Sequence, residues 1–254
     1  MSFTTWTPPA VASERRPFAL TLWRAVEAQH VVSTMALVDT LAEHAVLEAV
    51  IDAGKPAVPP DARHLHYLIS TPFRYPPTEA GSRFRGGQDP GVFYGAESLA
   101  AACAELAYWR WRFLMESPAL PRIDARAQTL FQAGVKTTGV ALDAPPFADD
   151  AAHWSDPADY DACQTFARVA REAGAGLIRY PSVRDPSHGA CVAVLTPRAF
   201  DPPQPLAATQ WMLTVRHDRV IWQRDDLRQR ESFEVETTAW QPVRQRTSES
   251  PDTP

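Results

Sequence analysis

The chain has 254 residues, of which 45% are hydrophobic and 22% charged, as expected of a globular protein with a substantial core. A formal charge of -5 argues against nucleic acid or an anionic membrane as the main partner, while leaving room for a local basic cluster that holds a phosphate. Cys103, Cys163 and Cys191 have no paired spacing, which argues against a disulfide scaffold and predicts buried small hydrophobes.

The first residues, 1–16, are polar and proline-bearing and predict a loose arm. They contain no basic stretch followed by an apolar core, so no signal peptide is expected, and no run of about 18 apolar residues is available to span a bilayer. The expected address is the cytoplasm.

From Phe18 to Ala53 there is neither proline nor glycine. Leu22, Val26, Met35, Val38, Leu41 and Leu47 recur at roughly helical intervals, predicting one long helix, or two joined near His44, stopped by Gly54-Lys55-Pro56. Residues 17–60 are thus expected to form an N-terminal helical region. HLHYLIST (64–71) reads as a strand from its β-branched and aromatic content.

The stretch from Pro72 to Gly91 is rich in proline and glycine yet carries Arg74, Arg83 and Arg85, and charged loops on a rigid scaffold are where ligands are usually held. GVFYG (91–95) predicts a short strand. A helix follows over LAAACAELAYWRWRFLM, with Ser98 as N-cap and Leu99, Cys103, Leu106 and Phe113 as its core stripe. Glu105 lies off that stripe. Trp109 and Trp111 are expected to pack this helix against the sheet and the N-terminal helix.

TTGVALD (137–143) predicts a strand, and PADYDACQTFARVAREAG a helix ended by Gly174. GLIRYPSV (176–183) and ACVAVL (190–195) predict strands around a turn at Asp185-Pro186, and residues 211–223 a hairpin turning at His217-Asp218. The catalytic part is expected over 61–227, and residues 228–254 form the expected tail. Helices and strands mix without a βαβ rhythm, which favours an α+β fold.

Several familiar signatures are absent, among them GxGxxG, GxxxxGK[ST], HExxH and GxSxG. His64-x-His66 could place two imidazoles on one strand face, but without a further ligand nearby no metal site is expected. What remains is Phe73-Arg74-Tyr75, Gly81-Ser82-Arg83-Phe84, Phe93-Tyr94, Glu105 and Tyr180-Pro181-Ser182.

Over about residues 64–200 this series resembles the RES domain family, through the RFR-containing loop, FYGAESLAAACAEL and GLIRYPSVR. The resemblance implies a mixed β-sheet core related to ADP-ribosyltransferase-like folds, with the N-terminal helical region added. It also implies an enzyme that degrades NAD or transfers ADP-ribose from it, acting as the toxin of a toxin–antitoxin pair.

Carried over residue by residue, the resemblance implies that Arg74 and Arg83 hold the pyrophosphate of NAD. Tyr75 and Tyr94 would line the nicotinamide or ribose pocket, Glu105 would act on the ribose, and Ser182 would complete the site, with Ser187 its competitor. Where many relatives have Arg-Trp-Asn, this chain has Arg83-Phe84-Arg85, so contacts made by that asparagine do not carry over. NAD is implied as substrate and an antitoxin as protein partner. The acceptor of ADP-ribose stays open among water, phosphate and a protein side chain.

The chemistry fits such a substrate. Guanidinium groups pair with phosphate oxygens in two places at once. Cutting an N-glycosidic bond builds positive charge on the ribose, which a fixed carboxylate stabilises. Each residue also has a plainer reading: Arg74 and Arg83 as loop charges pairing with Glu79 or Asp89, Glu105 as a solvated helix residue, Tyr94 as core and Ser182 as a turn hydroxyl. On those readings the chain is a non-catalytic RES-like interaction protein that binds a regulatory partner.

Overall fold

The computed structural model describes residues 5–28, 38–76, 81–226 and 231–240. Met35, Glu79, Leu227 and the terminal TSESPDTP lie outside the described residues.

The first long element departs from the helical expectation. Arg16–Glu27 is a 12-residue strand, β1, paired antiparallel along its whole length with β3 (Ile123–Ala141), from Arg16↔Gly139 to Glu27↔Gln128. Phe18, Leu20, Leu22 and Val26 fall on one side at even spacing and pack into a single core cluster. Leu22 and Val26, four apart, fit a strand period as well as a helical one. Among the described residues of the expected helical region, the helix is α2 (Leu41–Gly54).

The remaining strands are β2 (Phe93–Ala96), β4 (Leu177–Pro181), β5 (Ala190–Val194), β6 (Ala207–Val215), β7 (Arg219–Arg224) and β8 (Ser232–Glu236). Among the described residues, the other α-helices are α1 (Pro8–Ser13), α3 (Tyr67–Arg74), α4 (Leu99–Met115), α5 (Ala151–Trp154) and α6 (Asp161–Glu172). The sheet is mixed: β3 and β4 run parallel and the other pairs antiparallel. The α+β class is therefore the observed one.

Strand order runs β1-β2-β5-β4-β3-β6-β7-β8, with an additional β1–β3 pairing. Five strands thus close into a ring, sealed between β1 and β2 at Trp23↔Ala96, and β6 to β8 extend from it along β3. One core fills the ring with Leu22, Phe93, Phe131, Leu177 and Val192 under α3. A second joins the sheet to α1 and α6 through Val11, Phe84, Phe166 and Ile178. A third packs α4 on β3, β6 and β7 through Cys103, Trp111, Leu130 and Trp222.

Four further expectations are corrected. The presumed arm contains α1, whose Val11 is fully buried. HLHYLIST is not a strand: the His66 ring accepts from the Leu68 amide at 3.3 Å and starts α3, which buries Ile69, Ser70 and Phe73 on one side. The strand expected at 137–143 begins as far back as Ile123. The expected tail contains β8, where Phe233 and Val235 alternate with acidic residues, and then the turn Thr237–Trp240.

Helix α4 begins as expected, with the Ser98 hydroxyl accepting from the Ala101 amide at 3.1 Å. Its buried face differs from the expected stripe: it runs through Ala101, Ala104, Ala107, Tyr108, Trp111 and Leu114 besides Cys103, while Phe113 is exposed. Small alanines let the helix lie close on the sheet. Helix α6 ends as expected at Gly174, whose φ of +76° suits a left-handed C-terminal cap.

Candidate active site

Within the first turns of α4, residues 102, 105, 106 and 109 share one face by helical spacing. That face is one wall of a cavity of about 270 Å³. Trp23, Arg24 and Ala25 of β1, Tyr94 of β2, Tyr180 of β4 and Cys191 of β5 supply the sheet side. Arg83, Tyr160 and Arg184 come from three separate connections.

Glu105 is the carboxylate of this cavity. Its Oε1 accepts the Ser182 hydroxyl at 2.5 Å and the Cys191 thiol at 3.8 Å. Burial pushes the Glu105 carboxyl above its ordinary range, while Ser182, Arg184 and Arg83 pull it back down without cancelling that effect. Cys191 is held neutral, since burial and the neighbouring carboxylate both push its thiol up.

Ser182 is fully buried. While donating to Glu105, its Oγ accepts from the Arg184 amide at 3.1 Å and the Asp185 amide at 2.9 Å. The hydroxyl is therefore a fixed link between the β4 end and α4. Ser187, the competing serine, is exposed and instead gives its amide to Asp185 Oδ1 at 3.0 Å.

Arg83 is 8% exposed, donates to the Trp154 carbonyl at 2.8 Å and lies 4.7 Å from the centre of the Tyr160 ring. The turn that delivers it depends on Gly81, which has φ of +66° and would place a Cβ only 2.2 Å from the Arg85 carbonyl oxygen. Tyr94 secures the same turn. Its hydroxyl accepts the Phe84 amide at 2.9 Å and lies 2.8 Å from the Ser82 hydroxyl, and burial pushes its pKa up to about 12. Asp89, a possible partner for Arg83, is engaged instead by Arg168 at 3.0 Å.

The expected residues thus separate into two groups. Glu105, Arg83, Tyr94 and Ser182 converge, the first three lining the cavity and Ser182 gripping the carboxylate behind it. Arg74 and Tyr75 do not line it. Arg74 Nε donates to the Pro56 carbonyl at the C-terminus of α3, and Tyr75 is exposed, with its carbonyl accepting from Arg85 at 2.8 Å. Helix formation over 67–74 faces this pair away from the cavity.

Four cavity residues escaped the sequence reading. Arg24 donates to the Tyr94 carbonyl at 2.5 Å and stands 4.8 Å from the Phe93 ring centre. Its Nε is buried without a partner, and burial lowers the guanidinium pKa to about 10. Arg184 is buried and lies 3.7 Å from the Tyr108 ring centre, with its own carbonyl accepting the Trp240 indole N–H at 2.7 Å. Tyr160 precedes α6 directly. Trp109, expected in the core beside Trp111, is 47% exposed and lines the cavity, whereas Trp111 is buried. None of the four carries a local signal for this role in the sequence; all reach the site through tertiary packing.

Together these groups make a small, aromatic-walled, electropositive chamber around one gripped carboxylate. Such an arrangement is chemically suited to an anionic ligand and to positive charge developing beside a fixed carboxylate. Among the described residues, no cluster of three or more histidine, cysteine or acidic side chains is placed to hold a metal ion. No helix among them is long and apolar enough to cross a membrane.

No curated protein matches the chain. Among solved structures, the M.tuberculosis MbcT-MbcA toxin-antitoxin complex is similar at 14% identity and a TM-score of 0.46, over 77% of this chain and 86% of that one. The family model described as RES domain matches residues 58–244, a span that includes Arg83, Tyr94, Glu105 and Ser182 and leaves β1 with Arg24 outside. The chain belongs to the RES domain family.

Proposed function

We propose that the cavity binds the nicotinamide–ribose end of NAD and cleaves the bond between them, passing ADP-ribose to an acceptor. The observation that carries this reading is the Glu105 carboxylate, gripped by Ser182 and facing a chamber lined by Arg24, Arg83 and Arg184. Three guanidinium groups against one carboxylate favour a ligand that brings its own negative charge, as a pyrophosphate does.

In the reaction the C–N bond breaks with its electron pair going to the nicotinamide nitrogen, which leaves as a neutral ring. Positive charge appears on the ribose carbon and ring oxygen. The Glu105 carboxylate offsets that charge from a position fixed before the reaction, an effect typically worth about 3–4 kcal/mol. An acceptor oxygen or nitrogen then bonds to the ribose carbon and gives up its proton. Tyr160 and Trp109 offer flat faces against the pyridine ring and ribose.

Membership of the RES family supports NAD as the substrate, the cytoplasm as the place of action and an antitoxin as the neutralising partner. On this reading the protein is the toxin of such a pair. Water, phosphate and a protein side chain each fit as acceptor, making the protein a glycohydrolase, a phosphorylase or an ADP-ribosyltransferase.

Incubation with NAD, with and without inorganic phosphate, followed by mass analysis of the products, tests the reaction and identifies the acceptor. Nicotinamide release is expected from the wild type and not from Glu105→Gln at unchanged melting temperature. Equal release by both would remove Glu105 from the mechanism.

A further inference from the structure

At about 270 Å³ the cavity lies just under the range of about 300–1,000 Å³ usual for drug-sized ligands, and a whole dinucleotide is larger than most of those. Next to it lies an outer groove of about 840 Å³, with which it shares the lining residues Gly81, Trp109 and Tyr160. The groove follows α4 outward through Arg112, Phe113 and Glu116 and is closed opposite by the segment from Pro157 to Asp161. From Glu105 to Glu116 the helix rises roughly 16 Å, comparable with the reach of an extended dinucleotide.

The two compartments differ in charge. The inner one is rich in arginine. The outer one carries Glu116, Asp159 and Asp161 against Arg112, and that guanidinium is already paired with Glu116 at 2.7 Å and stacked 5.6 Å from the Trp109 ring centre. Phe113 is 55% exposed, a large aromatic face open to solvent that lines the groove. A phosphate would be repelled there, whereas a neutral base can stack on Phe113 and ribose hydroxyls can donate to the carboxylates.

The order along the path matches the order of groups in the substrate. On the reading above Glu105 would meet the reacting ribose, and Tyr160, which lines both compartments beneath Arg83, would stand where the pyrophosphate passes. A base and a second ribose would come next. We propose that the adenosine half of the dinucleotide lies in this outer groove against Phe113, and that the groove's carboxylates restrict the enzyme to a dinucleotide whose adenosine ribose carries no 2′-phosphate.

This inference rests on the reading of the inner cavity as the NAD site, and the test separates the two. Nicotinamide release is measured from NAD, NADP and nicotinamide mononucleotide, which lacks the adenosine half. The wild type is expected to favour NAD over NADP by about tenfold or more in kcat/KM, because like charges are brought together in the NADP complex. Phe113→Ala, an exposed change, is expected to raise KM for NAD about tenfold, the scale of one lost base stack, with kcat/KM for the mononucleotide unchanged. Asp159→Asn combined with Asp161→Asn is expected to narrow the NAD-over-NADP preference severalfold, again without touching the mononucleotide.

Equal use of NAD and NADP by the wild type, or a Phe113→Ala effect that is absent or the same for NAD and the mononucleotide, overturns the outer-groove assignment while leaving the cavity reading intact. A wild type that releases nicotinamide from none of the three overturns both.

Discussion

Two arginine-bearing stretches close together in the chain, Tyr67–Arg74 and Gly81–Arg85, carry the same chemical promise and have opposite fates. In the first, the backbone turns into helix α3, whose buried face takes Ile69 and Phe73 and leaves Arg74 bonded to the carbonyl of a neighbouring loop. In the second, a left-handed glycine and the Tyr94 hydroxyl fold the chain into a tight turn that drives Arg83 inward onto Tyr160. The lesson is that an arginine near a cavity in sequence serves it only when something fixed orients the backbone beneath it.

The contrast is broken or sharpened most forcefully at Arg83 itself. Arg83→Ala is expected to lower kcat/KM for NAD by roughly 10²–10³, the scale for one preorganised electrostatic group, and a loss below tenfold would put the two stretches on equal footing. Ser182→Ala comes next. It removes a hydrogen bond to a charged group, of a kind worth about 1.5–3 kcal/mol, so kcat is expected to fall about tenfold to a hundredfold while KM moves little.

The pH dependence gives a subtler measure of the same site. In the proposed reaction Glu105 acts as an anion, and burial raises its pKa, so activity is expected to fall on acidification with a midpoint above the ordinary glutamate value. A hydrogen bond to the charged form lowers a pKa; removing it in Ser182→Ala is therefore expected to move that midpoint higher still. A pH–rate profile of the two proteins checks both signs. Smallest of all, Arg74→Ala is expected to leave kcat/KM within about twofold and to cost no more than about 1 kcal/mol in a denaturation measurement, as for other exposed charges.

Much of the half that carries the candidate site was legible in the sequence because its signals are local. Ser98 starts α4 as an N-cap should, Gly174 ends α6, and the order of Arg83, Tyr94, Glu105 and Ser182 carried the family resemblance. The junction of Glu105 and Ser182 spans 77 positions, and no local pattern announces such a contact. Strand β1 was hidden by an ambiguity of spacing, since Leu22 and Val26 suit either period. Phe18 and Leu20 were the discriminating positions, because they continue an alternation that no helix keeps. Strand β8 was masked differently: its acidic residues make the segment look solvated, although Phe233 and Val235 alternate with them. Arg24, Arg184 and Tyr160 become site residues only once the ring of strands has closed.

The three hydrogen bonds of Ser182 have a consequence for chemical probing. A hydroxyl whose proton is committed to a carboxylate and whose oxygen already receives two amide N–H groups has no free electron pair with which to attack an electrophile. Fluorophosphonates and similar serine-directed reagents are therefore expected to leave Ser182 unlabelled, so profiling by reactive serines would not report on this site.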